Sequence, residues 1–314
     1  MSPAVALVGA TGLVGRNLLA TFLQALKNRQ ISSLNILTTS DNPALVEPAK
    51  LEGVKVFKVD YSNTGTLDGA LEGVGILVSA MGMGKEAGIG SYEVNKGKLI
   101  EAAARMNVKV YVPSEFGTDH NTEAAKGIGS VMFDGKQVHH AKAESLGLRV
   151  IAMYTGLLLE ISFSAWLGID SSVINPTWSL PTPSRPVAFT SLHDVGPYVL
   201  SASCQAFSGA NDIPSRARIY SDLITLDSAA DIWEEVTGEK ITRTTLDQVQ
   251  LAAKYEEIKP TLAIGMLGPA IPLLISQGAF DHGGTNANGF LRRGDWNFEP
   301  TSVRDFFKTL PLAK

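Results

Sequence analysis

Residues 5–16 read Val5-Ala6-Leu7-Val8-Gly9-Ala10-Thr11-Gly12-Leu13-Val14-Gly15-Arg16, and the fold class follows from this stretch. Ala4 to Val8 is a short apolar run, long enough for a buried strand. Glycines follow at three-residue intervals, and Leu18, Leu19, Phe22, Leu23 and Leu26 then mark one face of a helix. Strand, glycine turn and helix in that order give a glycine fingerprint its meaning. Gly9 permits the tight turn, Gly12 lets a pyrophosphate approach the backbone, and Gly15 lets the helix pack closely on the sheet. The free N–H groups and positive dipole end of the helix then face the phosphates. The spacing G-x-x-G-x-x-G is one residue longer at its start than the usual form. The stretch predicts a dinucleotide site.

Strand and helix patterns go on alternating. Leu34–Thr38, Val54–Asp60, Ile76–Ala80, Lys109–Pro113 and Leu148–Tyr154 read as the second to sixth strands. One helix carries Leu99, Ile100, Ala103 and Ala104, and another covers Lys136–Leu146. Such alternation implies right-handed crossovers and a doubly wound parallel α/β sheet, a Rossmann fold, with ligands beyond the carboxyl ends of the strands. Residues 1–156 are expected to form the dinucleotide-binding domain. Residues 157–314 are expected to form a smaller, mostly helical substrate-binding portion, with about 187–225 returning to the sheet. Asn175–Pro186, rich in Pro, Ser and Thr, reads as an irregular loop. Ser191–Ser203 reads as a helix with Pro197 in its first turn, Thr225–Thr237 as a helix stopped by Gly238, and Leu246–Ile258 as another.

Bulk composition narrows the function. An apolar fraction of 45% with 18% charged residues is an ordinary globular balance, and a net charge of −4 argues against nucleic acid as a partner. The single Cys204 excludes an intrachain disulfide, suits a reducing compartment, and reads as packing rather than as a nucleophile. The first strand starts almost at once, and the most apolar later segment, Thr261–Ser276, is short and carries Pro269 and Pro272. A cytoplasmic protein without membrane association, acting as monomer or homodimer, is expected. His120, His139, His140, His193 and His282 show no metal-ligand spacing, so no metal is expected.

Several segments fall where the fold brings ligands. The second strand ends Thr38-Thr39-Ser40-Asp41, without the clean acidic or basic residue that separates NAD from NADP. The hydroxyls can meet a phosphate, with Lys50 or Lys55 adding charge, and Asp41 suits a turn. Asp60 either caps a turn or meets the adenine. Met81-Gly82-Met83-Gly84 either lies against the cofactor or is a mobile connection. Val112-Pro113-Ser114-Glu115-Phe116-Gly117 either orders its own loop or faces a nicotinamide. A Tyr-x-x-x-Lys pair at Tyr92 and Lys96 precedes the fifth strand instead of following it, and reads as coincidence. Leu262–Ile275 reads as core packing or as a hydrophobic lid.

The glycine motif Gly9–Gly15, the Pro113-Ser-Glu-Phe-Gly117 segment and a following lysine together resemble the NmrA-like branch of the atypical short-chain dehydrogenases, and within it the isoflavone reductase and phenylcoumaran benzylic ether reductase group. The likeness extends over Leu99–Ala103, Thr190–Gly196, Asp231–Gly238 and Trp296–Phe307. It implies a reductase that passes hydride from NADP(H), in preference to NAD(H), to a small aromatic or conjugated secondary metabolite. The lysine acting in proton transfer would be Lys136. The cofactor would be held by Gly9, Thr11, Gly12, Leu13, Val14, Gly15, Thr39, Ser40, Asp60, Ala80, Met81, Gly82, Ser114, Glu115, Phe116, Lys136, Tyr154 and Thr155. Met83, Gly156, Phe280 and His282 would meet the substrate, although a buried tyrosine with a paired hydroxyl also accounts for Tyr154. Two family arginines are missing: one is replaced near Thr39, the other is His140. The same family includes regulators that sense dinucleotides without turnover and act through protein partners. A closed apolar pocket beside the Lys136 amine would favour catalysis over sensing.

Overall fold

A computed structural model describes residues 2–82, 88–128, 131–163, 176–259 and 270–310. Six parallel strands form the central sheet in the spatial order β3-β2-β1-β4-β5-β6. They are β1 (Ala4–Val8), β2 (Ser33–Thr38), β3 (Val54–Lys58), β4 (Ile76–Ser79), β5 (Val110–Val112) and β6 (Arg149–Val150). Between them lie α1 (Gly15–Lys27), α2 (Gly65–Leu71), α3 (Gly88–Arg105), α4 (Glu123–Ile128) and α5 (Val131–Ser145). The order reverses at β1, so the crevice beyond its carboxyl end is the natural ligand site.

β1 is buried on both faces because helices cover both: Val5 and Leu7 join the core under α1, Ala6 and Val8 the core under α2 and α3. The apolar stripe of α1, Leu18, Leu19 and Phe22, is buried, each large side chain stabilising the fold by about 1.5–3 kcal/mol.

The expected sixth strand, Leu148–Tyr154, divides at Ile151. β6 pairs with β5, whereas β7 (Ala152–Tyr154) leaves the main sheet and pairs with β11 (Arg216–Arg218). Beyond it come β8 (Leu157–Leu158), α6 (Leu159–Ser162), β9 (Thr177–Thr182), β10 (Val187–Thr190), α7 (Leu192–Phe207), β12 (Asp222–Ile224), α8 (Leu226–Thr237), β13 (Thr242–Asp247), α9 (Gln248–Ile258), α10 (Ile271–Ser276), α11 (Asn288–Leu291) and α12 (Val303–Thr309).

Among the described residues the C-terminal part is mostly helical, with short strands β8 to β13 set between its helices. The stretch 176–186, expected as loop, contains β9, which pairs in parallel with β13 along its full length. Pro181 is tolerated because this is a two-stranded ladder. Leu246 and Asp247 belong to β13 and not to the following helix; Asp247 is the N-cap of α9 in a reciprocal capping box with Gln250. Segment 187–225 returns to the main sheet as helix α7, packed on α1, while its strands pair elsewhere. Ser191 caps α7, which places Pro197 beyond the first turn. A second core, rich in Phe163, Trp178, Phe189, Trp233, Phe306 and Phe307, holds this part together. Cys204 is buried in the first core, its thiol pushed up to about 12 by burial. Among the described residues no helix is long and apolar enough to cross a membrane.

Candidate active site

The glycine turn is built as a cradle. Gly9 has φ +78°, and a Cβ there would lie 2.5 Å from the carbonyl oxygen of Ala80. A Cβ on Gly15 would overlap the Gly9 carbonyl, so α1 can start this close to β1 only without a side chain. No side chain caps the start of α1, and its first turn carries no acidic residue. The positive end of the helix is thus left for an anion.

A cavity of about 270 Å³ lies against this turn, lined among others by Gly9, Thr11, Thr39, Ser40, Met81 and Gly82. It shares Thr39, Val59, Tyr61 and Asn95 with a wider, open hollow of about 640 Å³ that reaches Lys58 and Asp60. Leu13 is exposed beside the turn and Val14 occupies the position before α1. Asp60 accepts hydrogen bonds from the backbone and hydroxyl of Ser62 at 2.7 Å, so it closes a turn at the rim of the hollow. Met83 lies outside the described residues.

A different lysine from those expected reaches the cleft. Lys50 pairs with Glu47, and neither it nor Lys55 lines the cleft. Lys58, at the end of β3 opposite Thr38, does line it, and ion-pairs with Asp41 at 2.8 Å.

The second half of the site starts at the carboxyl end of β5. The chain turns at Pro113, the Glu115 N–H donating to its carbonyl, and passes through Phe116 at φ +26°. This turn sends Glu115 inward, with its side chain fully buried. Lys136 and His140 stand one turn apart on α5 and reach the two carboxylate oxygens. Lys136 Nζ donates to Oε2 at 3.0 Å and to the Ser114 carbonyl at 3.2 Å, and His140 Nε2 is 2.9 Å from Oε1.

His120 Nδ1 lies 3.3 Å from Oε2, its ring stacked on Phe133 and set edge-on to Tyr154. Burial by itself would raise the Glu115 carboxyl. The Lys136 ammonium and the bonds from His120 and His140 outweigh it and hold the group well below the usual carboxylate range. Lys136 is 8% exposed. Its amine is enclosed, as catalysis would need, but by a carboxylate, a carbonyl and imidazoles and not by an apolar pocket.

His139, on the other side of α5, is hydrogen-bonded to Glu93 of α3, so the adjacent histidines point apart. Tyr92 and Lys96 lie on that same helix, fully or nearly buried, close enough for Lys96 to feel the charges of Glu115 and Lys136. The pair read as coincidence therefore borders the cluster. Its place in the chain misled because α3 and α5 pack side by side.

Tyr154 is fully buried with its hydroxyl accepting from Asn121 at 3.0 Å, and Thr155 is fully buried beside it. They back the cluster and do not line the cleft. Gly156 donates to the Gly117 carbonyl at 3.2 Å, tying this loop to the one that carries Glu115. Phe280 and His282, expected at the substrate, are packed inside the C-terminal part instead. Phe280 belongs to the aromatic core, and His282 Nδ1 donates to the Ile219 carbonyl at 3.0 Å, its imidazole lowered to about 4 by burial. Of Leu262–Ile275, residues 262–269 lie outside the described residues, and Ile271–Ile275 pack in that core.

Sequence reasoning missed the place of His120 beside Glu115 and of Asp119, which pairs with Arg218 at 2.7 Å, and set Lys96 aside. Only Lys96 left a local signal, its spacing from Tyr92.

Several known proteins resemble this chain in sequence or fold. A pinoresinol-lariciresinol reductase described as bifunctional, from Linum album, is 24% identical over 273 residues, covering 83% of this chain and 81% of its own. Crystal structures of pinoresinol-lariciresinol and phenylcoumaran benzylic ether reductases superpose with a TM-score of 0.77 at 15% identity, over 98% of this chain and 99% of theirs. The leucoanthocyanidin reductase–NADPH complex from Vitis vinifera superposes with a TM-score of 0.71 at 16% identity, over 97% and 98%. The sequence profile of the NmrA-like family matches residues 1–265, and the chain belongs to that family.

Proposed function

We propose that the protein is an NADPH-dependent reductase of small aromatic or conjugated metabolites, with Lys136 as the group that delivers or accepts the proton. The observation that carries this reading is the enclosed Lys136–Glu115–His140 cluster at the carboxyl end of β5, on the same sheet edge as the glycine cradle. The cradle, the uncapped start of α1 and the adjoining cavity fit a dinucleotide diphosphate. A bound NADPH supplies the hydride. Gly9, Thr11, Gly12 and Gly15 would hold its phosphates, and Thr39, Ser40 and Lys58 its extra phosphate. Names of relatives support the cofactor and the reaction type.

Within the chain, Glu115 fixes the position of Lys136, and His140 occupies the second oxygen so that the carboxylate cannot swing away. The Ser114 carbonyl takes a further proton of the amine. The enclosure excludes water, so a proton held on Nζ passes to a substrate oxygen and not to solvent. The test is cofactor oxidation, followed at the nicotinamide absorbance, with NADPH and NADH against aromatic enones, quinones and benzylic ethers. Lys136→Ala is expected to lose at least about a hundredfold in kcat/KM on the accepted substrate. Equal turnover by wild type and variant would refute the role, and a chain that binds neither nucleotide would refute the reading as a whole.

A further inference from the structure

The chain neighbours of His120 are pinned on both sides. Asp119 is buried, and two N–H groups of Arg218 converge on its Oδ2, Nε at 2.8 Å and Nη2 at 2.7 Å. Asn121 donates to Oδ1 from its backbone at 2.9 Å and from Nδ2 at 2.8 Å, and Nδ2 also reaches the Tyr154 hydroxyl at 3.0 Å. Tyr154 and Arg218 are register partners in the β7–β11 ladder. The bonds therefore close a ring from Arg218 through Asp119, Asn121 and Tyr154 back to Arg218. β11 is fixed from its other side as well, the Arg218 carbonyl accepting from the Ala287 N–H at 2.7 Å. The His120 side chain is fully buried, and its Nδ1 lies 3.3 Å from Glu115 Oε2, the oxygen that also takes Lys136. That separation is longer than an ordinary hydrogen bond, too weak to place the imidazole by itself. Stacking on Phe133 and the two pinned neighbours place it.

We propose that Arg218, from the C-terminal part, is a positioning residue that acts on the site through Asp119 and His120. It holds the imidazole against the Glu115 oxygen that anchors Lys136, and so keeps the amine where it can hand over its proton. The proposal rests on the reading of Lys136 given above. Without Arg218, Asp119 is a buried carboxylate that has lost its cation, and the turn around His120 relaxes toward water.

Measurements on the full chain test it. Arg218→Ala is expected to lower kcat on the accepted substrate about tenfold, the scale for a small misplacement of a reacting group, and to leave the Kd for NADPH within about twofold. The Arg218 side chain is 26% exposed, so the space left by alanine is open to small ions. Guanidinium at about 50 mM should raise kcat of the variant at least about threefold, where sodium chloride of equal strength does not. In a His120→Phe background Arg218→Ala should cost less than about twofold, since the path through His120 is already cut. Ring signals of His120, followed by NMR, should shift in Arg218→Ala and return with guanidinium. If circular dichroism shows that Arg218→Ala fails to fold, Asp119→Asn takes its place, with the same loss in kcat, the same dependence on His120 and the same shift. The proposal is overturned if the loss falls on Kd and not on kcat, if guanidinium restores nothing, if the loss is undiminished in the His120→Phe background, or if the His120 signals stay where they are. Unimpaired turnover by Lys136→Ala would instead overturn the role of Lys136, and the His120 signals would still decide whether Arg218 holds the imidazole.

Discussion

Replacing Glu115 by glutamine probes the centre of the site through stability alone. Glutamine keeps the size and an acceptor for His140 but removes the charge 3.0 Å from the Lys136 ammonium. The Lys136 and Glu115 side chains are 10% and 0% exposed, so solvent screens the pair little. Breaking a buried pair from one side costs about 3–5 kcal/mol. Lys136 keeps the Ser114 carbonyl, which puts the expected loss near the lower end, about 3 kcal/mol. In a chain of this length that lowers Tm by roughly 5 °C. The pH dependence has a definite sign. The carboxyl is held lower in the fold than in the unfolded chain, so its stabilisation is complete above the usual carboxylate range and is lost as pH falls through the folded value. The gap between wild type and Glu115→Gln should therefore stay constant between about pH 6 and pH 8 and shrink below about pH 4.5. Urea unfolding followed by circular dichroism at both ends of that range measures it. Equal midpoints at neutral pH, or a gap that widens on acidification, would refute the reasoning.

Three further outcomes are expected. Gly15→Val should abolish NADPH binding, measured by quenching of tryptophan fluorescence, because a side chain there overlaps the Gly9 carbonyl and displaces α1; unchanged binding would contradict the cradle. Lys58→Ala should raise the Kd for NADPH about tenfold, the loss of one charged contact, and leave that for NADH within twofold. An equal effect on both would place Lys58 away from the extra phosphate. Phe307→Ala should destabilise the C-terminal part by about 3–5 kcal/mol in urea unfolding, since its ring meets Phe163, Trp178 and Trp233.

Much of the dinucleotide half was legible because its signals are local. An apolar run bounded by Gly9 specifies β1, and the stripe from Leu18 to Leu26 specifies α1, so strand, turn and helix stand where they were read. Thr225 and Gly238 bracket α8 as N-cap and left-handed stop. Leu148–Tyr154 failed for a physical reason. A continuous apolar run says that a strand is buried but not which partner it pairs with, and at Ile151 the partner changes from β5 to β11. β9 was hidden because its proline content suggests a loop, and its partner β13 lies some sixty residues on. In the candidate site, Lys136 was singled out through family resemblance. Its anchor is clear only in three dimensions: Glu115 stood in a recognised segment, but its bonds to Lys136 and His140 span 21 and 25 residues. Lys96 was seen and set aside, since sequence order does not tell which helices lie side by side.

The most direct test of the whole account is a crystal structure of the chain with NADPH. The account predicts the diphosphate against the Gly9–Gly15 turn and the nicotinamide within about 4 Å of the Lys136 amine, with Glu115 still holding Nζ. A nicotinamide turned away from Lys136, or a diphosphate bound elsewhere on the sheet, would contradict it.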